Sequence, residues 1–446
     1  MQEILFGYEL KPTTWAYVSA LMMVGIYFKF RRFWSVRNLD LIALISFSPG
    51  LLLVYHGLLM QDLAELEADA LVRAADLLRA HDLVRAGYVW VFVVSGFFLI
   101  RLILDPVMVR RPLLEPNLSA SGLTFTGISL LVFLMANVIT TPKERLEYEL
   151  AKNDLAKTEA PESPSPGYVW FYTFAGFANE AMVSEHPSQP EVGRENLIRA
   201  ATTRGVTILA HLAVVVGMVW IGYRHFDNIH TGVAAATLYL LTFYTSQLTS
   251  HIDYVGPAAL LVWAVAAYRL PIISGLLLGL AAGLVYYPLF LLPLWCAFYW
   301  RRGLVRFVFG VLLAMAILAA VLVLTWPDPE TLATQLRLMA GWRNPLGATL
   351  SGFWDYYDPS YRIPVLALFV AICAGLAIWP AQKNLGTLLS CSAAVMLATQ
   401  FWHAHQGGLC MAWYLPLLIL TIFRPNLEDR VAISAVRPAW GRRKKG

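Results

Sequence analysis

Three clusters of side chains have types and spacings suited to chemistry at a membrane surface. The first is Trp342, Arg343, Trp354, Asp355, Tyr356, Tyr357, Asp358 and Tyr361, in one stretch between two apolar runs. Flat aromatic faces stack on the apolar faces of sugar rings or lie at headgroup depth, and an arginine fork matches phosphate oxygens with paired donors. Asp355 and Asp358 stand three apart, so a helix puts them on one face, where two carboxylates could orient hydroxyls or hold a hard divalent cation. The second cluster is Gln247, His251 and Asp253, and the third is His403-Ala404-His405-Gln406. Residues two apart face the same way only in extended chain, so a helical His403/His405 pair would not chelate one metal, and spacing offers no third ligand. Hydrogen bonding in a polar cavity, with a charge change near neutral pH, is the expectation for these histidines. An interfacial aromatic belt with a turn at Asp358-Pro359-Ser360 is the structural alternative for the first cluster.

Membrane-spanning helices must hold these residues. With 446 residues, 58% of them hydrophobic and 14% charged, and a mean hydropathy of +0.58, the chain cannot form one soluble core. Apolar windows of crossing length lie near 14–30, 39–60, 86–105, 119–141, 203–222, 232–249, 254–268, 303–326, 362–380, 384–402 and 408–424. To these is added 270–300, whose thirty-odd residues are too many for one straight helix and too few for two full ones. Broken at Tyr286-Tyr287-Pro288, it fits a tight hairpin of two short helices, and Gly275, Gly279 and Gly283 form a ladder that admits another helix closely. The predicted fold is an all-α polytopic bundle of about twelve to thirteen helices with external amphipathic loops. Glu3 and Glu9 precede the first run in place of a basic region, so that run is expected to stay as an anchor. Cys296, Cys373, Cys391 and Cys410 lie in apolar stretches and read as packing residues.

Basic residues orient the chain. Lys29, Arg31, Arg32, Arg37, Arg110, Arg111, Arg224, Arg269, Arg301, Arg302, Arg306, Lys383 and the tail Arg442 to Lys445 all fall on one side if the N-terminus is external and the C-terminus cytoplasmic. The other side then receives 61–85, 142–202 and 327–361, enough chain for an external cap. Residues 61–85 show an amphipathic stripe of Leu63, Leu66, Ala70, Ala74 and Leu77 and read as a helix on the membrane surface, with Asp62 and Glu65 fitting an N-cap and an acidic third position. Glu162 to Gly167 reads as a stiff linker within 142–202. Residues 425–446 form a basic tail facing the cytoplasmic leaflet. Within the bilayer, His211, Asn137 and Gln400 stand out, and no span carries the mid-membrane Asp, Glu or Lys used in ion-coupled relays.

One stretch resembles a known superfamily. The run YVGPAALLVWAVAAYRLPIISGLLLGLAAGLVYYPLFLLPLW, within residues 239–300, together with the Gln-His-Asp outer turn and an amphipathic loop after an early span, is similar to the GT-C class of polyprenyl-phosphate-sugar-dependent glycosyltransferases. Within that class it looks most like the bacterial family related to polyprenol-phosphate-mannose mannosyltransferases. The resemblance implies transfer of a mannose-like hexose from a lipid-linked donor on the external face of the inner membrane. It implies an external acidic general base, at Asp62 in this chain, although an extra N-terminal span precedes it. It also implies a basic residue before the hairpin proline to meet the lipid phosphate, where this chain has Tyr286 and Tyr287. Those departures leave a second reading open: a non-catalytic membrane subunit, or a lipid or solute translocator, on the same scaffold.

The chemistry of such a transfer explains the residue types. A hydroxyl attacking an anomeric carbon must lose its proton to a nearby carboxylate, while the lipid phosphate departs as an anion. No cofactor is expected beyond the divalent cation that Asp355 and Asp358 could hold, the expected partners are a lipid-linked sugar and membrane lipids, and nothing points to nucleic acid. The chain lacks a nucleotide-binding glycine fingerprint, a nucleophile elbow, a zinc motif and a Walker sequence, so nucleotide-sugar, hydrolase and ATP-driven readings have no support.

Overall fold

The computed structural model describes residues 11–67, 69–108, 115–140, 191–249, 251–325 and 350–436, together with Glu330, Ala333 and Arg337. Among them the regular structure is helical, with an isolated bridge between Asn384 and Val431. The helices are α1 Pro12–Tyr27, α2 Val36–Glu65, α3 Ala70–Leu104, α4 Ala120–Thr140, α5 Glu191–His225, α6 Ile229–Leu241, α7 Phe243–Gln247 and α8 Ile252–Ala266. They continue with α9 Pro271–Leu284, α10 Leu292–Tyr299, α11 Leu304–Thr325, α12 Arg362–Ile378, α13 Leu385–Trp402, α14 Leu415–Phe423 and α15 Ala432–Ala435.

This is a helical membrane bundle. Seven of the described helices are long and apolar enough to cross a bilayer, and the expected dozen-odd crossings resolve into these plus shorter apolar helices. Each shortening has a local cause. The run 232–249 breaks at Thr242, whose hydroxyl donates to the Tyr239 carbonyl (2.8 Å), with the Thr245 hydroxyl donating to that same oxygen (2.8 Å). The run 408–424 is helical only from Leu415, because Gln400 Oε1 accepts from the backbone N–H groups of Gly408 (3.1 Å) and Cys410 (3.2 Å) and folds that segment into turns.

Residues 61–85 do not form a separate surface helix. Helix α2 runs on to Glu65 and α3 starts at Ala70, capped by Asp69, which accepts from Leu71 N (2.8 Å) and Val72 N (3.4 Å). The N-cap is therefore Asp69, and Asp62 lies in the last turn of α2, exposed. The two helices have 30 and 35 residues; at ~1.5 Å per residue the pair is longer than the ~30 Å hydrocarbon core and projects beyond it. Glycines join the pair: a Cβ on Gly87 would stand 2.7 Å from Gly50 O and 2.8 Å from Val54 N. The 142–202 segment also differs in part, since α5 already begins at Glu191, while 142–190 lies outside the described residues.

Residues 270–300 fold as two short helices joined by a turn. Helix α9, a 3-10 turn over Tyr287–Leu291 and α10 follow in order, and the Tyr299 hydroxyl donates to Tyr268 O (2.6 Å), closing the hairpin at its base. The glycine ladder faces protein. A Cβ on Gly279 would stand 2.6 Å from Ala314 Cβ and 3.0 Å from Val311 O, Gly275 abuts the Phe307 carbonyl, and Gly310 of α11 abuts the Ile272 carbonyl in return. At the centre stands α13, buried along nearly its whole length. Its Ser390, Ser392, Ala393 and Ala394 are small, so neighbours approach from all sides, and Trp295 donates to Ser392 Oγ (3.1 Å).

The helix ends sort by chemistry. At one end, Asp40 and Asp105 are buried to 1% and 0% exposure. Arg101 bonds Asp40 (3.1 Å) and Asp105 (2.9 Å), and Arg424 bonds Asp105 (3.2 Å), tying the ends of α2, α3 and α14 together. Arg430 pairs with Asp227 (2.7 Å) at this end, and Lys29, Arg224, Arg269, Arg302 and Lys383 gather there as the charge pattern requires. His251, His403, His405 and the aromatic loop lie at the other end.

Candidate functional site

At the aromatic end, α13 stops at Trp402 because His403 turns extended (φ −57°, ψ 129°), and Gln406 takes a left-handed conformation (φ 47°) followed by Gly408 (φ 93°). The chain thus folds back over the helix end. Segment 351–361 is latched onto this turn, with Ser351 N donating to Ala404 O (3.0 Å) and Gln406 N donating to Ser351 O (3.1 Å). Gly352 makes the latch possible: its φ is 75°, and a Cβ there would stand 2.8 Å from Gln406 Cα.

The hairpin tip meets the same turn. Tyr286 and Tyr287 pack ring on ring (4.1 Å), Tyr287 lies 5.5 Å from Trp402 and 5.2 Å from Trp413, and His403 stacks on Trp413 (5.6 Å, 19°). Helix α8 adds its first turn: His251 stacks on Tyr254 (5.2 Å, 20°), the Tyr254 hydroxyl donates to Gln406 Oε1 (3.0 Å), and Trp413 Nε1 donates to the Asp253 carbonyl (3.2 Å). From α12 comes Arg362, 4% exposed, whose Nε (3.3 Å) and Nη2 (3.0 Å) donate to Trp402 O.

The protonation of His403 follows from its partners. The His405 backbone N–H can only donate, and it points at His403 Nδ1 (3.3 Å), so Nδ1 accepts; the Tyr287 hydroxyl then donates to the same nitrogen (3.0 Å). The neutral ring carries its proton on Nε2. Removal of water by the surrounding rings, with His405 and the Arg362 guanidinium adding to it, pushes the imidazole down to a pKa of about 3. The Nε2–H has no partner among the described residues and is a donor open to a ligand oxygen.

Of the residues singled out from sequence, Tyr286, Tyr287, His403, His405, His251 and Asp253 come together here. His405 joins through Ser351 Oγ to Nδ1 (3.4 Å), and Trp354 is buried behind the turn, donating to Phe401 O (3.1 Å). Gln247, half-buried, ends α7 nearby in the chain. Asp355 and Asp358 are both exposed and sit on successive 3-10 turns instead of one helix face. Asp358 caps its turn through Ser360 N (2.8 Å), and the Ser360 hydroxyl and N–H hold its carboxyl below the usual range. Trp342 and Arg343 lie outside the described residues. Asp62 stands apart from these residues: it lies in the last turn of α2, beyond Gly57, which stands opposite Ala80 and Val84, while segment 351–361 runs along α3 from Phe92 and Tyr88 to His81, whose ring lies 4.5 Å from that of Tyr356.

Sequence reading missed Arg362, Tyr254, Trp402 and Trp413. Arg362 had a usable signal, since it is a charged residue opening an apolar run directly after the aromatic stretch 354–361. The two tryptophans look like ordinary belt residues until the turn folds back. Outside this cluster, His211 accepts from the Tyr239 hydroxyl at Nδ1 (3.3 Å) and donates from Nε2 to Thr249 O (3.1 Å), an interhelical packing bridge. No group of three or more His, Cys, Asp or Glu side chains suited to a metal occurs among the described residues. Compared with known proteins, the chain matches no family model, no curated protein and no solved structure.

Proposed function

We propose that the aromatic end is the active site of a membrane glycosyltransferase that moves a hexose from a polyprenyl-phosphate carrier to an acceptor hydroxyl, on a GT-C-like scaffold. The observation that supports this best is the convergence of Tyr286, Tyr287, Trp413, His403 and Arg362 at one bundle end. Ring faces suit a hexose, the Nε2–H of His403 suits a sugar or phosphate oxygen, and the Arg362 guanidinium supplies positive charge for the departing phosphate. Asp253 is the carboxylate this reading takes as the base, because its residue joins the cluster through its backbone carbonyl, which accepts from Trp413. In this reading the acceptor oxygen bonds to the anomeric carbon, its proton goes to Asp253, and the carbon–oxygen bond to the lipid phosphate breaks with the electron pair leaving on phosphate. The one-sided basic residues favour an external, periplasmic site with the C-terminus in the cytoplasm.

The second reading, a non-catalytic subunit or translocator, draws on the neutral His403 at the heart of the cluster and on the position of Asp62 outside it. Purified full-length protein incubated with a panel of polyprenyl-phosphate hexoses and acceptor membranes separates the two. Transfer from any donor supports the enzyme. Absence of transfer with every donor, together with solute or lipid flux in proteoliposomes, rejects it.

A further inference from the structure

A groove of about 450 Å³ opens at the basic end, between the C-terminal ends of α10 and α12 and the strand-like approach to α15. It lies at the opposite end of the bundle from the aromatic cluster, so its binding chemistry does not depend on whether that cluster is catalytic. Two cations and no carboxylate line it: Arg301 and Lys383. Lys383 is only 7% exposed, and its Nζ donates to Ala377 O (2.8 Å) and Pro380 O (2.9 Å) where α12 ends. An ammonium has three N–H donors, so one remains after these two bonds. Burial lowers the Lys383 pKa, a cost that a bound anion offsets. Arg301 is exposed and pairs with no acid among the described residues.

The rim is apolar and uncovered. Trp300 (72%), Ile378 (78%) and Ile433 (48%) line the groove beside the cations with exposed large side chains. Tryptophan at the end of apolar helices marks headgroup depth, and isoleucine beside it is satisfied by acyl chains and not by water. A free phosphate would use the cations and leave this rim bare. A lipid phosphate uses both.

We propose that the groove binds the headgroup of an anionic phospholipid, its phosphate between Lys383 Nζ and the Arg301 guanidinium and its acyl chains against Ile378 and Trp300. Full-length protein in detergent, titrated with phosphatidylglycerol or phosphatidylcholine and read by native mass spectrometry, tests this. Phosphatidylglycerol adducts should form selectively, and Arg301→Gln, a surface change, should weaken them several-fold. Arg301→Gln with Lys383→Gln should weaken them roughly tenfold or more, as expected for two charges near an anionic headgroup. Inorganic phosphate at millimolar concentration should not displace the lipid. Unchanged selectivity in Arg301→Gln, equal binding of both lipids, or full displacement by phosphate would each overturn the proposal.

Discussion

At the basic end, Asp40 and Asp105 are buried as charges and saturated by Arg101 and Arg424, whereas the aromatic end is dominated by rings, a neutral imidazole and amides around one buried guanidinium. This ion network pairs each buried carboxylate with a guanidinium and fixes which helix ends meet. The aromatic cluster is also well packed, yet it keeps the His403 Nε2–H open. The contrast sets an ion network that joins helix ends against a ring cluster that carries the proposed chemistry.

Breaking the ion network should have the largest effect on stability. Asp105→Ala strands the buried Arg424 guanidinium and leaves Arg101 with Asp40 alone, and removing one partner of such a network typically costs ~3–5 kcal/mol. Melting in detergent should fall sharply. A wild-type melting temperature for this variant would mean that the network is not what joins α2, α3 and α14.

Overpacking between the ends should cost less. Gly279→Leu drives a branched side chain into Ala314 and the Val311 backbone, and changes of this kind cost ~1–3 kcal/mol. The melting temperature should drop, more mildly than for Asp105→Ala. No drop would mean that α9 and α11 separate in the membrane.

The third effect is graded by pH, small near neutrality and growing as pH falls, and it belongs to the aromatic end. The folded-state pKa of His403, about 3, lies below the ordinary value of ~6.5, so the unfolded chain binds the extra proton between them. The stability this neutral ring contributes is fully present above about pH 6.5 and declines as pH falls toward 3. His403→Gln should flatten that part of the stability profile in detergent titrations. An identical slope in wild type and variant would show that the imidazole titrates normally.

Much of this layout is legible in the sequence because its causes are local. Apolar length gives the bundle, the Tyr-Tyr-Pro break gives the hairpin, and Lys and Arg distribution gives the two ends. What is not legible depends on contacts distant in the chain. The 61–85 stripe repeats with the helical period whether the helix is separate or a continuation of α2 and α3, and only the Asp69 cap and the glycine contacts decide. Gln400 reads as a lone intramembrane amide, and its role in folding the 403–410 turn needs the backbone of Gly408 and Cys410 beside it. Arg424 and Asp105 meet across 319 positions, a pairing that no spacing rule reaches.

The proposed division between the two ends is tested most directly by single-turnover transfer from a polyprenyl-phosphate hexose, comparing Asp253→Asn with Asp62→Asn in otherwise wild-type protein. Asp253→Asn should retain fold and donor binding and slow transfer by ~10²–10⁴, the range that general-base catalysis supplies. Asp62→Asn, exposed at the far tip of the helix pair, should leave the rate close to wild type. The reverse pattern, with Asp62→Asn inactive and Asp253→Asn active, would contradict the assignment of the chemistry to the aromatic cluster.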